Sequence, residues 1–87
     1  MQKHVKNYFE EFGYNQFDSI GCEVCGSHRS TEIHHVEPRS SFGSKTKIAQ
    51  DAITNLICLC RLCHDKAHGP EARKFKEILK EIITNRN

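Results

Sequence analysis

The side chains best suited to chemistry in this chain are its thiols and imidazoles. Cys22-x2-Cys25 and Cys60-x2-Cys63 are two pairs at the spacing tetrahedral zinc prefers, each able to turn two sulfurs toward one ion at about 2.3 Å. A site closed by four thiolates has no open position for a substrate, so its role is structural. Zinc binding of this kind contributes on the order of 10 kcal/mol of apparent folding free energy. The fifth cysteine, Cys58, lies in the apolar run Leu56-Ile57-Cys58-Leu59 and reads as a small core residue. A mixed site built from Cys60, Cys63, His64 and His68 would crowd its ligands into one short stretch, with Cys63 and His64 side by side.

Six histidines remain once the paired thiols are assigned. His4 and His28 have no partner at ligand spacing and are expected to face solvent. The other four come as adjacent His34 and His35, and as His64 and His68, four apart. Neighbours on a strand point to opposite faces, so His34 and His35 cannot do the same job. Residues i and i+4 of a helix share a face, so His64 and His68 can converge on one ion. One strand histidine added to that pair gives three nitrogens, with positions left open for water or a phosphate oxygen. The other strand histidine is left to act as a base. A metal beside a free imidazole of ordinary pKa near 6.5 suits phosphodiester hydrolysis: the metal polarises the phosphate, and the base deprotonates water.

These side chains need elements to hold them. Val5, Tyr8, Phe9 and Phe12 repeat at helical spacing and Gly13 follows as a cap, which predicts a helix over Gln2 to Phe12. Thr31 to Val36 and Asn55 to Leu59 are β-compatible, joined by a polar loop, Glu37 to Thr54, that opens with a Pro unsuited to a strand. Arg61 to His68 suits a short helix ended by Gly69-Pro70. Pro70 and Glu71 then open a last helix, in which Phe75, Ile78, Leu79, Ile82 and Ile83 form one apolar stripe.

The combined pattern, Cys22-x2-Cys25, Ile33-His34-His35-Val36-x-Pro38-Arg39, Gly43, Asn55-Leu56-Ile57-x-Leu59-Cys60-x2-Cys63-His64-x3-His68, resembles the HNH nucleases. It is most similar to the small zinc-bound enzymes of phages, mobile elements and restriction systems. The resemblance runs from Cys22 to His68 and leaves both flanking helices outside it. It implies an α+β fold: a ββα-metal (His-Me finger) core with a four-cysteine zinc knuckle, flanked by N- and C-terminal helices, as a single domain over 1–87. By the same resemblance His35 is the general base, Asn55 steadies the loop and that base, and His64 binds the catalytic ion. His34 stands where the family places a metal-binding Asp or His, and His68 matches a ligand seen in the nuclease-colicin branch. The cofactors implied are structural Zn²⁺ and a catalytic divalent ion such as Mg²⁺, Mn²⁺, Ni²⁺ or Zn²⁺. The partner implied is DNA, with a homodimer or a larger phage or restriction complex as the setting.

Composition sets bounds on this reading. With 87 residues, 37% of them hydrophobic and no Trp, one small domain is expected, and a metal supplies what so small a core lacks. No apolar run approaches the roughly 20 residues of a membrane span, and the opening residues lack an apolar signal region. A cytoplasmic protein with reduced thiols is therefore expected. A formal charge of +2 neither demands nor excludes nucleic acid, so local clustering matters more. Arg39, Lys45, Lys47, Arg61 and Lys66 flank the histidines in sequence and are the expected phosphate contacts. Arg73, Lys74, Lys76 and Lys80 could extend that track, although Glu71, Glu77 and Glu81 interleave with them. The competing reading is a zinc-stabilised nucleic-acid-binding module that does not cut, or a nuclease subunit needing a partner. The four paired histidines separate the readings, since binding alone does not require them.

Overall fold

In the computed structural model, residues 2–37 and 51–86 are described. Helix α1 spans Lys3–Phe12, strand β1 Glu32–His35 and strand β2 Leu56–Leu59, the last entered through a single 3-10 turn at Ile53–Asn55. Helix α2 (Arg61–Ala67) follows β2 directly, and helix α3 (Ala72–Thr84) completes the order. The result is a small α+β fold with one two-stranded antiparallel sheet, in which His34 lies opposite Ile57 and His35 opposite Leu56.

The sheet is covered on both faces, which explains why β2 is apolar without alternation and buried at every position. On one face Leu56 and Cys58 join Tyr8 and Ile20, with Phe9, Ile33 and Ile53 packed beside them, so α1 is the cover. On the other, Ile57 and Leu59 join Val36, Cys22, Cys60, Cys63, Phe75 and Leu79, so α2 and α3 are the cover. Cys58 is a core residue, as its neighbours suggest, at 1% exposure. Ile78 departs from the expected stripe: it is 47% exposed, because Phe75 and Leu79 occupy the centre of the contact and Ile78 falls at its margin.

Helix α1 ends in a Schellman motif. Gly13 adopts φ +74°, its N–H donates to the Glu10 carbonyl, and the Tyr14 N–H donates 2.8 Å to the Phe9 carbonyl. The Phe9 and Tyr14 rings meet edge-on across the same turn, closing the motif with an apolar contact.

A polar cluster that the sequence does not advertise ties the layers together. Glu23 accepts from the Tyr8 hydroxyl at 2.6 Å, from the Cys58 N–H at 3.1 Å, and from Arg86 through Nε at 2.9 Å and one terminal nitrogen at 2.7 Å. Arg86 also donates to the carbonyls of Ile53 and Leu56, and its guanidinium lies over the rings of Tyr8 and Phe12. One carboxylate and one guanidinium thus join α1, the first cysteine pair, β2 and the residues after α3.

Candidate metal centres and active site

Cys22 and Cys25 sit on a turn whose carbonyls and amides are paired internally: Cys22 N–H donates to Ser27 and Gly26 N–H to Cys22. Gly26 takes φ +80° there, a left-handed position that favours glycine. Cys60 is the residue before α2 and Cys63 lies in its first turn, with the His64 N–H donating to the Cys60 carbonyl. All four sulfurs fall within 4.8 Å of one another, and Cys25 and Cys60 approach to 3.6 Å. Burial opposes ionisation of Cys22, but N–H groups of Cys25, Cys60 and Val24 outweigh it and bring the thiol down to about 7. Burial, and then the neighbouring thiols, push Cys63 up. Thiolates crowded this way need a cation to ionise together, and four sulfurs this close could hold a metal ion, zinc being the ion such a donor set suits.

Strand alternation sends the two central histidines apart. His34 faces α2, where its ring lies 5.3 Å from that of His64 and 5.5 Å from that of His68, centroid to centroid. His64 and His68 are 4.6 Å apart, and one nitrogen from each of the three rings lies within a 4.8 Å set. His68 has left the helix as its C-terminal cap but stays over the same face. Burial, reinforced by the charges His64, His68 and His35 would carry, holds His34 down at about 4. It is therefore neutral near pH 7, with a lone pair available to a metal.

His35 faces the other way, toward α1. Its Nε2 lies 2.9 Å from Asp51 Oδ1, and its ring centroid is 4.5 Å from that of His4. Both members of the His35–Asp51 pair are nearly buried, at 14% and 10% side-chain exposure. The expectation that His4 faces solvent is corrected here: α1 packs on the β1 face that carries His35, and His4 is partly buried against it. His28 is exposed as expected, with its Nδ1 2.9 Å from the Ser19 hydroxyl. Asp51 and His4 were invisible to the spacing argument because each reaches His35 through the fold rather than along one element.

Asn55 is buried and holds the exit of β1. Its Oδ1 accepts from Glu37 N–H at 2.8 Å, its Nδ2 donates to the Glu37 carbonyl at 3.2 Å, and its carbonyl accepts from Val36 N–H at 2.9 Å. The side chain thus acts as one more rung of the ladder, directly beyond His35.

Two clefts adjoin the three-imidazole set. One, of about 390 Å³, is lined by His34, His35, His68, Arg73, Lys76 and neighbouring apolar groups. The other, of about 320 Å³, is lined by Ser30, Glu32, Arg61, His64, Asp65 and His68. Of the expected phosphate contacts, Arg61 therefore lies beside the histidines, where it pairs with Asp65 at 3.4 Å. Lys66 lies instead in a depression with Lys74, Phe75 and Ile78. Arg39, Lys45 and Lys47 lie outside the described residues. Arg73 and Lys76 enter the first cleft from α3, and Lys76 is held by Glu37 at 2.8 Å.

A family model, HNH endonuclease, matches residues 22–69, the span that contains both cysteine pairs, both strands and α2. The chain belongs to the HNH endonuclease family, a family of nucleases that act on DNA. Comparison with curated proteins and with solved structures returned no match. Among the described residues no helix is long and apolar enough to cross a membrane.

Proposed function

We propose that the chain is a metal-dependent endonuclease that hydrolyses DNA phosphodiester bonds with one catalytic ion per site, on a ββα-metal core braced by zinc at Cys22, Cys25, Cys60 and Cys63. The observation that carries this reading is the division of labour in the His34–His35 pair. His34 joins His64 and His68 in a three-nitrogen set, while His35 turns away and is gripped by a carboxylate. Three imidazoles suit Ni²⁺ or Zn²⁺ better than Mg²⁺, which prefers oxygen. A divalent ion held there would supply Lewis-acid polarisation of the phosphate and stabilise the departing oxygen.

His35 supplies the base. When its Nε2 donates to Asp51, Nδ1 presents the lone pair that takes a proton from the attacking water. Asp51 fixes the tautomer and the ring orientation, and Asn55 fixes the backbone that follows. His35 and His34 line the same cleft, so base and ion can serve one phosphate although their rings leave opposite faces of the strand. Arg61 on one side and Arg73 with Lys76 on the other offer cations to flanking phosphates, which positions a backbone without reading bases.

The test is relaxation of supercoiled plasmid by the zinc-loaded chain with Mg²⁺, Mn²⁺, Ni²⁺ or Zn²⁺ added in turn. Ion-dependent nicking that disappears in His64→Ala is expected. Nicking that persists in His64→Ala under every ion would contradict the ligand assignment.

A further inference from the structure

We propose that His4, His35 and Asp51 form a second, weaker site for a transition-metal ion, and that filling it switches the nuclease off by capturing its base. The inhibitory half of this inference rests on the nuclease reading, whereas the binding half does not. One donor atom from each of the three residues falls within 4.8 Å of the others, the same closeness found among the four cysteines and among His34, His64 and His68. The donors come from three separate segments: α1, β1 and the stretch leading into the 3-10 turn. The set is on the α1 side of the strand, away from His34.

Two imidazoles and one carboxylate suit Zn²⁺, Ni²⁺ or Co²⁺ and leave positions for water. Mg²⁺ is a poor match, since it demands a nearly all-oxygen octahedron. An ion entering this set competes with the 2.9 Å hydrogen bond that already joins His35 Nε2 and Asp51 Oδ1. The rings of His34, His64 and His68 meet one another edge-on, and an ion entering there breaks no such bond among the described residues. The two sites therefore fill in order, with the His34 set first.

The consequence for the base follows from the ring itself. A neutral imidazole carries one proton, and an ion on either nitrogen confines that proton to the other. The lone pair that would accept a proton from water is then gone. Activation at low metal concentration and inhibition at higher concentration come from the same ion at two places.

The experiment titrates Ni²⁺ into the zinc-loaded full chain and reads both bound nickel, by equilibrium dialysis, and plasmid nicking. The wild type is expected to bind two Ni²⁺ per chain beyond the zinc and to show nicking that rises and then falls. His4→Phe keeps a ring against His35 but removes the ligand. It should bind one Ni²⁺ and lose the falling limb, or move it at least tenfold higher in nickel. His4→Gln, with the same two readouts, serves if Phe disturbs α1. One Ni²⁺ in the wild type, or an unchanged falling limb with two Ni²⁺ still bound in both variants, would overturn the proposal. Two Ni²⁺ in the wild type and one in the variants, without nicking under any ion, would support the site while refuting its link to a nuclease.

Discussion

His35 is oriented by the 2.9 Å hydrogen bond to Asp51 and by the His4 ring packed against it, and two single-residue substitutions have definite expected outcomes. Asp51→Asn keeps the shape but not the charge, so kcat for plasmid nicking should fall about 10- to 100-fold with KM nearly unchanged, measured by steady-state kinetics. The second concerns Tyr8. Burial, then the hydrogen bond to Glu23 and its charge, push the phenol above its ordinary value of 10.0. A group raised in the folded state gives stability that is whole below pH 10 and is lost as pH rises beyond it. Tyr8→Phe should therefore flatten the alkaline fall in stability, read from urea midpoints between pH 8 and pH 11. Part of this is legible in the sequence: the four cysteines, and His34, His64 and His68, stand out by local spacing, and the fold brings each set together. Asp51, His4 and the Glu23–Arg86 pair do not stand out, because nothing in their local sequence marks contacts made across 16 to 63 residues.

At the scale of elements, periodicity and punctuation carried the reading. Gly13 marked the end of α1 because a left-handed cap favours glycine, and the short strands were found near their true limits. The position of Ile78 was less legible, since a helical stripe wider than its contact leaves one edge in water. The way α1 covers the His35 face was not legible at all, for an amphipathic helix does not say which face of a two-sided sheet it will cover. Asn55 is the element-scale joint: it carries the ladder from β2 onto the backbone beyond His35. Asn55→Ala strands the Glu37 amide and carbonyl and should cost about 2 kcal/mol in chemical denaturation, with a loss of nicking beyond what unfolding explains.

For the whole molecule, the small core built on both faces of β2 is reinforced by the Glu23–Arg86 pair, and a metal held by the cysteine set would add a further tie. Arg86→Met leaves Glu23 with its charge uncompensated among α1, β2 and the first cysteine pair, and should destabilise the fold by about 3 kcal/mol in urea titration. Chelation of zinc should do more, removing the cooperative transition in thermal melts rather than shifting it. The proposed division of labour puts an ion on one side of β1 and a base on the other. Its most direct test compares wild type and His35→Ala for plasmid nicking in Ni²⁺ or Mn²⁺, alongside DNA binding and the thermal transition. Nicking reduced at least about 100-fold in His35→Ala is expected, with DNA binding retained and a cooperative melting transition still present, though at lower temperature because the hydrogen bond to Asp51 is lost. Equal nicking by the two proteins would show that His35 is not the base.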